Sequence, residues 1–383
     1  MPEEQSIEVH CFFDFLKAVA ILGVYFFHVL EWNLEIASTS SAEVISHGVL
    51  KYFLFNAQSL PDYVSGILRT LSSFGNTGVE FFIIASGFGL YLSYLSKKNT
   101  WLTFYKKRVL RIIPLYYLFL LATYFTMAYL VGNTFYSSPQ GLKILVEHFL
   151  LIQTFTDSYK VYGLFYFAAI IFHLYLVFPF LTKIMQFRKW HWPFMGFAFL
   201  LAVLPSEIFA FLHIDFKGLL FTDYLLYFFL GVLIADSVFH NRKLHGILLS
   251  PRVSFIALVL LSALIFIVSY LSDYNSGFGI MIKLLAFLSV PFLFSIVSKA
   301  PLRALINVIS YSSFVAYLSH LLIARVLFWI LAAKIGWTGC YDHITYISGV
   351  LFPVILVTAF LTQKTYDTLL KRLGFSGQSR IVS

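Results

Sequence analysis

Asp14, Lys17 and His28 stand in one apolar stretch, FDFLKAVAILGVYFFH (residues 13–28), with ten uncharged residues between the lysine and the histidine. On a helix, eleven positions bring His28 back to within about 20° of Lys17 after a rise of ~16 Å, and Asp14 lies about 40° off the same face. An imidazole can take a proton near neutral pH, a lysine can receive an anion, and a carboxylate beside the lysine can pair with and orient it. One helical face therefore carries a cation at one depth and a base at another, as two stages of a single pathway would require.

The rest of the composition says what holds that face. The chain of 383 residues is 60% hydrophobic, 19% aromatic and only 12% charged. That leaves too little polar surface to cover a soluble globule, so the bilayer must be the solvent. The fold class expected is all-α, a polytopic membrane helix bundle. The 44 Phe and 24 Tyr suit lipid-facing surface and interfacial belts better than base stacking, and the net charge of +9 has a topological cause, so no nucleic-acid partner is expected. Cys11 and Cys340 fall on opposite sides of the membrane in the topology below, which excludes their pairing, and neither makes a metal site. The first residues, MPEEQSIEVH, are acidic and lack a cleavage signal, so the first helix is expected to be retained.

Apolar runs of the roughly 20 residues that cross a ~30 Å core fall at about 12–32, 76–96, 110–131, 162–186, 192–213, 219–238, 254–272, 278–298, 307–331 and 344–365. This predicts about ten transmembrane helices and one integral-membrane domain over 1–375, followed by a short tail at 376–383. Segments 44–60 and 143–157 are shorter or broken by polar residues and read as amphipathic or re-entrant. Of 27 Lys and Arg residues, most cluster in alternate connections: Lys97 to Arg111, Lys183 to Lys189, Arg242 to Arg252, Lys299 to Arg303 and Lys364 to Arg380. The positive-inside rule makes those connections, and both termini, cytoplasmic.

The same residues resemble a known family, membrane-bound acyltransferase family 3, which includes bacterial O-acyltransferases of cell-surface glycans. Its first helix reads Leu-Asp-x-Leu-Arg, then ten residues and His; here Asp14, Lys17 in the arginine's place, and His28 match. GNTGVEFFIIASGFGLYL resembles its second-helix signature at Gly78, Val79, Glu80, Phe81, Phe82, Ser86, Gly87 and Phe88. FYKKRVLRIIPLYY resembles its Arg-x-x-Arg…Pro-Leu-Tyr segment at Arg108, Arg111, Pro114, Leu115 and Tyr116. LYLVFPFL, FFLGVLIA and SFVAYLSHLLI resemble later helices, the last at Ser313, Tyr317 and His320. Two positions depart from the pattern. Lysine at 17 replaces a planar fork by a point charge, and Ile171 stands where many members carry a glutamate.

The resemblance implies a bacterial cytoplasmic-membrane enzyme that moves an acyl group, acetyl first among the options, from acyl-coenzyme A to a hydroxyl of an extracytoplasmic glycan or lipid-linked sugar. His28 and Glu80 would be catalytic, the glutamate orienting or polarising the imidazole from near the outer leaflet. Lys17, Arg108, Arg111 and Asp14 would serve the phosphates of acetyl-coenzyme A. Tyr317, His320 and Ser86 would line the acceptor site, and no metal is implied. Taken without the family, Arg108 and Arg111 read as positive-inside anchors, His28 and His320 as interhelical hydrogen-bonding groups, and Ser86, Gly87 and Gly89 as small residues that allow close packing. His173, Glu207, Asp223 and Lys283 also lie in or near spans, with no role assigned. A transporter of a glycan or small molecule, or a non-catalytic assembly partner, are the alternatives from other classes.

Overall fold

A computed structural model describes residues 3–37, 74–96, 100–156, 158, 162–212, 220–270, 276–297, 300–337 and 344–375. The elements used below are α1 (Glu3–Ala37), α2 (Gly78–Ser96), α3 (Trp101–Phe125), α4 (Pro139–Phe149), α5 (Tyr166–Met185), α6 (His191–Phe211), α7 (Thr222–Phe239), α8 (Pro251–Tyr270), α9 (Ser276–Val297), α10 (Ala300–Trp329) and α11 (Ile344–Arg372). There is no strand among the described residues.

Among the described residues, eight helices are long and apolar enough to cross a membrane: Glu8–Val29, Gly78–Ser96, Trp101–Leu130, Gly163–Met185, Thr222–Phe239, Gly279–Val297, Leu302–Trp329 and Gly349–Arg372. They coincide with eight of the expected spans, and the chain is a polytopic helical membrane protein. The other two expected spans, 192–213 and 254–272, fall on α6 and α8, whose side chains are described only in part. Segment 44–60 and the tail 376–383 lie outside the described residues.

The expected short segment at 143–157 overlaps α4, eleven residues long and too short to span. Its start is written in the sequence. Ser138 takes a hydrogen bond from the Gly141 amide at 3.1 Å, and Pro139 occupies the first turn, where its missing N–H costs nothing. Its end is less ordinary. Leu151, a buried non-glycine residue, adopts φ 59°, a left-handed conformation that costs roughly 1–2 kcal/mol. The helix α3 begins earlier than the apolar run alone implies, at Thr100, whose hydroxyl accepts from the Thr103 amide at 3.3 Å. The polar turns carrying Lys106, Lys107, Arg108 and Arg111 are therefore helical too.

Cα packing divides the chain into two compact units. The first comprises residues 1–82 and 242–383, the second residues 83–241, and α2 runs on from one into the other after Phe82. In the first unit α1 packs along α10 and α11, and α8 packs along α9. Glycines at the start of α2 and just before it allow α1 to come close. A Cβ on Gly75 would strike the carbonyl of Gly23, and one on Gly78 the carbonyl of Ala20. In the second unit α6 packs on α7, and Gly87 and Gly231 bring α2 and α7 together backbone to backbone, each meeting a main-chain carbonyl of the other helix. Gly87 thus serves close packing as its small size suggests, whereas nothing lies within 4 Å of a Cβ built on Gly89.

Candidate functional site

Three groups of ionisable side chains in the first unit fall at successive heights along α1. At the lowest, the Lys17 ammonium donates to Asp14 Oδ1 at 2.9 Å, and the Ser310 hydroxyl from α10 donates to the same oxygen at 2.7 Å. Spacing of three residues on one helix makes the Asp14–Lys17 pair local, and Ser310 fixes the carboxylate from a neighbour. The two side chains keep 36% and 34% of their exposure. An ammonium has three protons to donate, so Lys17 retains capacity for an anion after meeting Asp14.

At the middle height the chain buries a second ion pair. Lys283, on α9, donates to Glu80 Oε1 at 2.6 Å, with 2% of the Glu80 side chain exposed and 27% of Lys283. Oε2 of Glu80 is buried without a hydrogen-bond partner among the described residues. The glycine contacts fix where this pair sits. Gly75 meets Gly23 and Gly78 meets Ala20, so α2 descends past α1 in the opposite sense, and Glu80 is carried toward the Lys17 end rather than toward His28. The expected neighbour of Glu80 was the imidazole of His28; the partner observed is the ammonium of Lys283. Glu80 lies in the first turn of α2, next to Phe81, whose ring packs on Phe287 with centroids 6.3 Å apart.

At the upper height two imidazoles meet. The rings of His28 and His320 lie 5.4 Å apart between centroids. His28 Nδ1 sits 2.8 Å from the Val24 carbonyl, one turn back on its own helix. His320 Nδ1 sits 2.8 Å from the Tyr317 carbonyl and 3.1 Å from that of Ala316. A carbonyl only accepts, so both Nδ1 atoms carry the proton and both Nε2 atoms keep a lone pair. His320 is fully buried, and its Nε2 has no partner among the described residues; His28 is half-buried. Tyr25 and Tyr317 stand edge-on to His320 at 6.2 and 6.0 Å, enclosing it in aromatic walls. The result is one open base backed by one enclosed base, each pre-oriented by its helix.

Six of the nine sequence-derived site residues, Asp14, Lys17, Glu80, His28, Tyr317 and His320, therefore belong to the first unit. The other three belong to the second. Ser86 pairs its hydroxyl with Tyr175 OH at 2.9 Å, four residues beyond the Ile171 that stands in the glutamate's place. Arg108 is half-buried, with its guanidinium 5.7 Å from the Phe104 ring centre and Nε unpartnered among the described residues. Arg111, three residues on and so on the same side of α3, is exposed. Lys283 stands out in the sequence as a lone cation in an apolar run but was assigned no role there, and Ser310 carries no signal of its own. Among the described residues no group of three or more His, Cys, Asp or Glu gathers to hold a metal.

Set against known families, the chain matches a family model described as an acyltransferase domain over residues 12–363, which spans all three heights and both units. No curated protein and no solved structure matches it.

Proposed function

The chain belongs to acyltransferase family 3, and from that premise we propose that this membrane acyltransferase moves an acetyl group from cytoplasmic acetyl-coenzyme A to a hydroxyl of an extracytoplasmic glycan or lipid-linked sugar. The observation that carries the reading is the His28–His320 pair with its two Nε2 lone pairs. His28 Nε2 removes the proton of the acceptor hydroxyl as its oxygen attacks the thioester carbonyl. A C–O bond forms, the C–S bond breaks, and the proton passes from the imidazolium to the departing thiolate. His320 holds the neighbouring wall and Tyr317 encloses it.

The donor's charges call for cations. Lys17, poised by Asp14, supplies one, and Arg108 and Arg111 supply two guanidiniums suited to phosphate oxygens. The apolar helices support residence in the membrane, and the clustering of Lys and Arg supports a cytoplasmic donor side in a bacterial cytoplasmic membrane. Acyl transfer is tested with radiolabelled acetyl-coenzyme A and a panel of cell-envelope glycans in purified proteoliposomes, with His28→Ala as control. Label in one acceptor that disappears in the variant supports the reading. Uptake of a glycan into vesicles without any acyl donor, and no label in any acceptor, would replace it by transport.

A further inference from the structure

Between the spans that end at Leu130 and begin at Gly163, the helix α4 turns the usual polarity inside out. Toward the protein it presents Glu147 and His148, both buried, and the chain just beyond it buries Gln153 and Thr154. Away from the protein it presents Leu142, Val146 and Leu150, four residues apart and so on one stripe, all exposed; Ile152 and Phe155 extend the exposed apolar surface. A helix lying on a protein in water places polar groups outward and apolar ones inward. The reverse arrangement suits a hydrocarbon surrounding.

Two hydrogen bonds fix its depth. Tyr116 OH donates to the His148 carbonyl at 2.8 Å, and Tyr117 OH donates to the Phe149 carbonyl at 2.7 Å. Both tyrosines belong to the span Trp101–Leu130, and Tyr117 lies about 20 Å of helix short of its Leu130 end. The whole span of 30 residues measures about 45 Å, so about 15 Å of it exceeds a ~30 Å hydrocarbon core. With all of that surplus placed at the Leu130 end, the last turn of α4 still falls below the lipid surface, and tilt shrinks the surplus faster than the depth.

The deep end of α4 is also closed as hydrocarbon demands, since no water is there to meet a bare carbonyl. Val146 accepts from the Leu150 amide at 3.0 Å, Glu147 from the Ile152 amide at 3.0 Å, and His148 from the Leu151 amide at 3.1 Å as well as from Tyr116, while Phe149 is met by Tyr117. The left-handed Leu151 is what swings the Ile152 amide back onto Glu147, closing the helix by a Schellman motif without a glycine. The apolar stripe continues a surface that already faces lipid: Leu118 and Phe125 are exposed on α3, and Leu118 and Leu150 adjoin the bonded Tyr117 and Phe149. Nearer the start of α4, the exposed Lys143 meets Glu147 only at 3.8 Å, and its long stem can carry the ammonium to the headgroups.

We propose that α4 is a re-entrant helix: it dips into the leaflet at the Leu130 end of α3, lays Leu142, Val146 and Leu150 against lipid chains, and ends within the hydrocarbon. The proposal goes beyond the acyl-transfer reading and stands whether or not the chain transfers an acyl group.

The test uses the full chain, with Cys11→Ser and Cys340→Ser, in phosphocholine nanodiscs. One nitroxide at a time is attached at Leu142→Cys, Val146→Cys or Leu150→Cys, with Leu118→Cys on α3 as the lipid reference. Each of these four side chains is at least 45% exposed, so the label displaces no packed group. Electron paramagnetic resonance reads collisions with molecular oxygen, which concentrates in lipid, and with a water-soluble nickel chelate. The oxygen-to-nickel ratio should rise several-fold from Leu142 to Leu150 and approach the Leu118 value at Leu150. Equal ratios at the three positions would lay the helix flat on the membrane surface and overturn the proposal. Ratios favouring nickel throughout would put it in water, and few collisions with either reagent would mean that another part of the chain, or a second copy, covers the stripe; both would overturn it as well. A second series needs no label. Leu142→Asp, Val146→Asp and Leu150→Asp should lower the melting temperature in nanodiscs by increasing amounts in that order, because a charge costs more the deeper it sits; parental melting in all three would again overturn the proposal.

Discussion

His28 and His320, 292 residues apart in sequence, face one another at 5.4 Å, and each spends its Nδ1 proton on a carbonyl of its own helix. Two bases that are both acceptors at Nε2 cannot hydrogen-bond to each other. They compete for one incoming proton, and the half-buried ring of His28 is the one a substrate can reach.

His28→Ala should accordingly lower acetyl transfer by 10²- to 10⁴-fold, the usual worth of a positioned base, with the thermal transition little changed. Radiolabel transfer in proteoliposomes, beside a melting curve, measures both. Transfer at the parental rate by this variant would remove the proposed chemistry.

The Glu80–Lys283 pair should behave as a buried ion pair. Removing the ammonium with Lys283→Met strands a carboxylate that is 2% exposed and should destabilise the protein by about 3–5 kcal/mol. Adding Glu80→Gln in the same chain should recover much of that loss. Thermal unfolding of the two single variants and the double variant closes the cycle; independent, additive losses would show that the two groups are not coupled.

At Lys17 the expectation is a kinetic split. Lys17→Ala should raise KM for acetyl-coenzyme A several-fold with kcat nearly unchanged, because the ammonium holds an anion away from the reacting carbonyl. Lys17→Arg should bind the donor at least as well. A fall in kcat at constant KM would place Lys17 in the chemical step instead.

The pH dependence of stability has a definite sign at His148, which lies outside the spans. Burial pushes its pKa down to about 4, against the opposing effects of the Ile144 hydrogen bond and the Glu147 charge. The unfolded chain, with an ordinary histidine near 6.5, therefore binds more protons than the native one between those values. Stability is full above about pH 6.5 and falls as pH drops toward 4, by on the order of 3 kcal/mol. Melting curves at pH 7 and pH 5 should separate, and His148→Leu should narrow the gap.

How far the sequence reaches is clear from individual residues. Asp14, Lys17 and His28 share a helix, so their spacing alone sets face and rise, and the structure adds Ser310 beside Asp14 and His320 beside His28. Arg108 and Arg111 were legible as cations, while the helical start at Thr100 that carries them was not, because a polar helical turn has no apolar period to announce it. Glu80 shows the limit. Its place in an apolar run was legible, but its burial and its partner, 203 residues away on α9, were not, because the way one helix is rotated against another is set by glycine contacts that no local pattern records. The orphaned atoms of His148, Gln153, Thr154 and Tyr162 were invisible for the same reason: a missing hydrogen bond is a property of the folded interior.

The helix α1 has 35 residues, so its axis measures about 52 Å, while a bilayer's hydrocarbon core is ~30 Å thick. At ordinary tilts the surplus must emerge from the lipid, so the bilayer grips only part of α1 and leaves the rest in headgroups or water. Shorter acyl chains would draw the lipid boundary along α1 toward His28 and longer ones would move it away, making membrane thickness itself a dial on the depth of the residue that an incoming hydroxyl must reach.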